Sequence, residues 1–194
     1  TDRWSVTVPT AQLPQGTLYY GYRASGPADA GDRFDESRLL IDPWARELSH
    51  DPFPLGAPKA VVLTESAYDT GTKPTGAFAD DVIYEVHLRG FSRSDPAAPA
   101  GCAGTYAGAA ARAQKLKALG VTAIELLPVH ETQNDQNEAT ATADGDNYWG
   151  YSTLAFFAPD RRYACDQSPG GPTREFAAMV EREDRDRQLR RVSH

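Results

Sequence analysis

Side-chain oxygens crowd one stretch of this sequence. Between residues 131 and 147 it carries Glu131, Thr132, Asn134, Asp135, Asn137, Glu138, Asp144, Asp146 and Asn147. Hard cations such as calcium take about six to eight oxygens from carboxylates, amides and carbonyls. Glu131-Thr132-Gln133-Asn134 offers several within one turn of chain. The spacing is not that of an EF-hand loop, and composition alone favours a solvated polar loop over a metal site. Next comes Tyr148-Trp149-Gly150-Tyr151. Sugars present apolar C–H faces that stack on aromatic rings, and an aromatic beside glycine at the rim of a site suits that use. The competing reading places Tyr148 and Trp149 in the core, with Tyr151 capping it. That reading is favoured for Trp149 and stands even for Tyr151. His87 and His130 are acid–base candidates. His87 falls within a strand pattern and reads as a hydrogen-bonded structural residue. His130, near a strand end, is the better candidate of the two.

The elements that must position these groups centre on Val121–Leu127, a short apolar run stopped by Pro128. It reads as a strand of the buried, parallel-sheet kind. Before it, Tyr106–Leu119 is Ala-rich and helix-favouring, with an apolar stripe at Ala109, Ala113, Leu116 and Leu119, and Gly120 suits the position just past a helix end. Asp81–Arg89 reads as a further strand. Together these form a βαβ unit with parallel strands and a right-handed crossover. Pro172 starts another helix that places Phe176, Met179 and Val180 on one face and runs into a charged end with Glu181–Arg185 and Glu183–Arg187 pairs. No third strand is expected after it, which leaves a two-stranded sheet with an open edge. At the other end, Trp4–Val8 alternates with period two, and Thr17–Arg23 is rich in β-formers. They read as an antiparallel pair, too little to stand alone, and are expected to close a larger β-sandwich. Residues 25–80 read as an irregular connector with short ordered pieces at Leu39–Ala45 and Ala60–Leu63.

Bulk properties exclude several partners. Among 194 residues the net charge is −7, so a basic footprint for nucleic acid or an anionic membrane is missing. No apolar run approaches the ~20 residues of a membrane span. The first residues lead straight into a strand pattern without a signal peptide, so the chain is expected to begin inside a domain. GxGxxG, P-loop and GxSxG motifs are absent from the sequence. The two cysteines, Cys102 and Cys165, have no metal-binding spacing and are read evenly as free thiols or one disulfide. A disulfide would imply an oxidising compartment. Glu85 and Glu125 lie in strands, and no spaced carboxylate pair stands out as a glycosidase acid and nucleophile.

Several ordered stretches together resemble the isoamylase-type starch and glycogen debranching enzymes of the α-amylase superfamily. They are Tyr20–Pro27, Gly31–Phe34, Leu39–Ala45, Asp81–Phe91, Leu119–Val129, Glu131–Asn134, Asn147–Tyr151 and Ala158–Tyr163, and the likeness runs from about Trp4 to Val180. The resemblance implies an α/β fold: a partial (β/α)8 TIM barrel, its first two βα units at residues 81–180, preceded by the last strands of a starch-binding-type β-sandwich at residues 1–26. Residues 27–80 are then the connector and residues 181–194 an atypical charged tail. It also implies a calcium ion held by Asp51, Glu131, Thr132, Asn134 and Asp160, and a sugar stacked on Tyr151. The implied activity is hydrolysis of α-1,6-glucosidic branch points in glycogen or amylopectin by a parent enzyme expected to be monomeric. A secreted or periplasmic location is favoured. The family's nucleophile Asp, acid/base Glu and transition-state-stabilising Asp lie on later strands, so no residue here is assigned as catalytic and this chain alone is expected to be inactive. The alternatives are a non-catalytic glucan- or calcium-binding module, and a related branching enzyme or pullulanase. The long segment between Glu131 and Tyr148 favours the isoamylase type over the latter two enzymes.

Overall fold

The computed structural model describes residues 5–27, 29, 31, 33–49, 58–64, 68, 75–132, 147–185 and 190–193, the last stretch by its backbone. Its centre is a parallel sheet. β3 (Ile83–Val86) and β4 (Ala123–Leu126) pair in parallel with Ile83 opposite Ala123 and Val86 opposite Leu126. The connection between them carries α1 (Leu88–Ser92), α2 (Tyr106–Ala110) and α3 (Ala113–Ala118). The βαβ reading of the sequence therefore holds in its pairing. Val86, Ile124 and Leu126 from the strands, Tyr106, Ala109, Ala113 and Leu116 from the helices, and Met179 from α4 (Gly171–Arg185) bury one shared core. Gly120 has φ +82° just past α3, where the left-handed conformation suits glycine.

Local details depart from the sequence reading. The strand expected over residues 81–89 stops at Val86, because the His87 ring caps α1: its Nδ1 accepts the Gly90 N–H at 3.3 Å. The single helix expected over residues 106–119 is two. Arg112 N bonds back only to Ala109 O, a tightened turn. The Arg112 guanidinium leaves the helix line for Asp95 at 2.9 Å and for the face of Phe91 at 4.8 Å. A third strand, β7 (Arg190–Ser193), pairs in parallel with β4, giving the order β3-β4-β7 where two strands were expected. The unpaired edge of β4 is hydrogen-bonding backbone that a following strand satisfies whatever its side chains.

The N-terminal region pairs differently from expectation. Residues 5–8 form no strand, and Val6 is exposed. β1 (Tyr19–Tyr20) instead pairs antiparallel with β2 (Ala60–Val61), across the connector, and Tyr22 bridges to Leu40. Leu48 and Ala60 pack against Ala155 and Ala158 of β6 (Thr153–Pro159), which itself runs antiparallel to β5 (His130–Thr132). Glu47, buried, fastens this region to the start of α4: one carboxylate oxygen accepts the Gly170 N–H at 2.8 Å and the other the Thr173 hydroxyl at 3.1 Å. Cys102 and Cys165 form a disulfide, joining the approach to α2 with the approach to α4.

Candidate functional site

From β4 the chain runs through Pro128 and Val129 into β5, which lies along β6 with Glu131 opposite Ala155 and Thr132 opposite Thr153. The pairing sets Glu131 and Thr132 beside Asp160, which directly follows β6 and opens a short 3-10 turn over Arg161–Tyr163. The Asp160 backbone is pinned from two sides. Its N–H donates to Val129 O at 2.8 Å, and the Tyr106 hydroxyl lies 2.9 Å from its carbonyl and 3.2 Å from that of Val129. Its side chain, in a residue with 0% exposure, accepts from Thr132 Oγ1 at 3.1 Å, from Arg162 Nη2 at 2.7 Å and from the Arg162 backbone N–H at 2.8 Å. Glu131 is less well met. Its Oε2 accepts the Arg161 N–H at a long 3.4 Å and stands 3.7 Å from Arg161 Nε, which is buried without a hydrogen-bond partner. Burial, and then the Asp160 carboxylate, push the Glu131 carboxyl up to about 8.

Of the five expected calcium ligands, the structure thus brings three together: Glu131, Thr132 and Asp160. Asp51 and Asn134 lie outside the described residues. Among the described residues no cluster of three His, Cys, Asp or Glu side chains forms, so the described part supplies two carboxylates and one hydroxyl. All three are hard oxygens, the chemistry calcium takes and zinc does not favour. The Glu131 carboxyl is held up by burial first and by Asp160 second, with Arg161 beside Glu131 and Arg162 on Asp160 as the cations already at the site. In donor chemistry the residues fit calcium.

The aromatic turn stands next to this corner. Asn147 Oδ1 accepts the Gly150 N–H at 3.1 Å, and a Cβ on Gly150, at φ +79°, would meet Pro128 O at 2.8 Å, so only glycine fits. His87 stacks on Tyr148 with centroids 4.1 Å apart, and its Nε2 lies 2.8 Å from Tyr148 O. Nδ1 accepts from Gly90, so the ring proton sits on Nε2 and is donated to that carbonyl. His87 is the structural residue the sequence suggested. Trp149 corrects the core reading: it is 56% exposed, because the ring meets His87 and Tyr148 edge-on and leaves a face in solvent. Tyr151 is 65% exposed.

His130 does not join the acids. Its ring lies 5.9 Å from Phe156 in a cavity of about 410 Å³ lined by Val129, Phe157, Phe176 and Ala177, where burial lowers its basicity. Glu85 and Glu125 lie directly opposite each other across β3 and β4. Sequence reasoning missed Arg162, Tyr106 and Glu47. Arg162 stands in the Ala158–Tyr163 stretch, yet a lone arginine among two carries no signal of what it will grip.

No protein-family model matches the chain. It is 46% identical to an isoamylase from Flavobacterium sp. over 93% of its own length and 29% of that protein's. An isoamylase from Pseudomonas amyloderamosa is also 46% identical, over 92% and 29%. A glycogen debranching enzyme from Yersinia enterocolitica is 40% identical over 92% and 30%. The chain therefore spans about three-tenths of the length of these curated relatives. Among solved structures, type I pullulanase from Bacillus subtilis in complex with maltose matches with a TM-score of 0.59 and 27% identity, over 82% of this chain and 23% of that one. Pullulanase from Bacillus acidopullulyticus matches with a TM-score of 0.62 at 21% identity, over 80% and 20%, a likeness of fold. The chain shares its fold with one section of these pullulanases.

Proposed function

We propose that this chain, which belongs by sequence to the isoamylase-type debranching enzymes of the α-amylase superfamily, forms the section of an α-1,6-glucosidase that joins a glucan-binding β-sandwich to the start of the catalytic barrel. The single observation that carries this reading is 46% identity to isoamylases over more than nine-tenths of the chain. It also favours the isoamylase type over pullulanase, matched at 27% identity or less. On this reading, residues 81–180 are the first two βα units and β7 is the third strand, within the stretch that the sequence marks only as a charged tail. Residues 1–26 close the sandwich, and residues 27–80 cross between the two domains. The substrate is a branched α-glucan such as glycogen or amylopectin, with a ring stacked on the exposed Tyr151.

Glu131, Thr132 and Asp160 would hold calcium, with Asp51 and Asn134 completing the set. Calcium there would share the acids with Arg161 and Arg162 and, by binding only the folded chain, would stabilise the fold that carries them. The Cys102–Cys165 disulfide supports a secreted or periplasmic home. The family's nucleophile, acid/base and transition-state-stabilising acids have no counterparts among these residues, so the chain by itself should not cleave glucan.

The test is a graft. This chain replaces the corresponding section of the Flavobacterium isoamylase, and release of linear glucan from amylopectin is measured. The graft should debranch, and Tyr151→Ala within it should raise KM by about tenfold, equivalent to the loss of one stacking contact of about 1.4 kcal/mol. The chain alone should release nothing. A folded graft without debranching activity would overturn the assignment.

A further inference from the structure

Arg162 touches both halves of the site. Its Nη2 donates to Asp160 Oδ2 at 2.7 Å and to Thr132 Oγ1 at 2.8 Å, and its Nε lies 3.0 and 3.2 Å from the two Asp160 oxygens. Its Nη1 donates to the backbone carbonyl of Asn147 at 3.1 Å. The guanidinium is mostly buried and lies 5.6 Å from the Tyr163 ring centre. Asn147 opens the turn through Gly150 that leads to Tyr151. His87 holds the far side of that turn by its stack on Tyr148 and its bond to Tyr148 O. One rigid fork therefore spans the buried acid and the turn's first carbonyl.

We propose that Arg162 is a positioning residue that couples a cation bound at Asp160 and Thr132 to the aromatic turn Asn147–Tyr151, so that cation occupancy sets the placement of the sugar-stacking rings. The proposal rests on the cation reading of the site. A cation that draws on the oxygens of Asp160 must share them with the guanidinium. A planar fork cannot shift at one prong and stay fixed at the other, so the Asn147 carbonyl follows. Lysine cannot reproduce this: a single ammonium on a flexible stem keeps the charge beside Asp160 but has no planar fork to span Asp160, Thr132 and Asn147. By reciprocity, whatever the cation does to the turn, a sugar on the turn does to cation affinity.

Trp149 is the reporter. The sequence has three tryptophans, so Trp4→Phe with Trp44→Phe leaves Trp149 alone in the turn. Calcium is titrated into this single-tryptophan chain and into the same chain carrying Arg162→Lys, with calorimetry reading uptake and emission reading the turn. The expected result is calcium uptake by both, with an emission shift that saturates alongside uptake when Arg162 is present and is absent from the Arg162→Lys variant. Uptake with unmoved emission in the chain that keeps Arg162 overturns the coupling and leaves the cation reading standing. Equal shifts in both chains also overturn it. No uptake by the chain that keeps Arg162 removes the cation reading and the proposal together. If Arg162→Lys fails to fold, Arg162→Gln takes its place and is read by the same outcomes.

Discussion

The parallel unit around β3 and β4 and the N-terminal region around β1 and β2 are held by different means. The first buries large side chains, among them Tyr106, Leu116, Ile124, Tyr163 and Met179, in one continuous core. The second has strands of two residues each and a small cluster of Ala45, Leu48, Ala60, Ala155 and Ala158. Two of those five residues belong to β6, so the N-terminal region completes its core only by docking. Its polar attachment is Glu47, and its aromatic attachment is Trp44 stacked on Phe157 at 4.9 Å. The difference shows that a βαβ unit can specify itself from neighbouring sequence, whereas the connector takes its order from the surface it crosses.

The contrast can be broken most strongly through pH. Glu131 carries a folded-state pKa of about 8 against an ordinary value of 4.5. A raised carboxyl binds its proton more tightly in the folded state. Stability from this group is therefore full below about pH 4.5 and is lost as pH rises through about 8. The ceiling is roughly 5 kcal/mol for the cation-free chain. Melting curves from pH 5 to 8 should fall in Tm, and Glu131→Gln should flatten the slope. A Tm that rises over this range would contradict the burial of Glu131 beside Asp160.

Tyr106→Ala should cost about 3–5 kcal/mol, since a fully buried ring and its hydroxyl contacts to Val129 and Asp160 go together. Denaturant unfolding should show the loss in the parallel unit. Replacing Cys102 and Cys165 by Ala removes a cross-link between residues 63 apart in sequence and should cost about 2–4 kcal/mol, read as a lower denaturation midpoint. Glu47→Ala should cost about 1–3 kcal/mol by leaving the buried Gly170 N–H unmet and the Thr173 hydroxyl with the Arg46 carbonyl in place of the carboxylate. Its signature should be regional. Hydrogen exchange should quicken at Leu48, Ala60 and Val61 and stay slow at Ile124 and Leu126. Equal acceleration in both places would erase the distinction between the two regions.

The parallel unit is legible in the sequence because its signals are local. The apolar run at Val121–Leu127, the Ala-rich helix before it and Gly120 between them each act within a few residues. The partner of β1 is not legible, since Tyr19 meets Val61 across a connector without periodicity. β6 escapes a sequence reading because Thr153–Pro159 runs on from the aromatic cluster before it. Its exposed Phe156 and Phe157 hide the alternation a half-buried strand should show. β7 escapes because its formation depends on the free edge of β4 more than on its own arginine-rich residues. In the candidate site, the choice of Glu131, Thr132 and Asp160 comes from the family likeness. The grip of Arg162 on two of them becomes visible only once β5 and β6 pair.

Calorimetric titration of calcium into the 194-residue chain, alongside Asp160→Ala and Glu131→Gln, tests the cation site most directly. The expected result is one calcium per chain with affinity lowered at least about tenfold in each variant, the loss of roughly 1.4 kcal/mol or more per ligand. Absence of calcium uptake by the folded chain, or equal affinity in all three proteins, would contradict it.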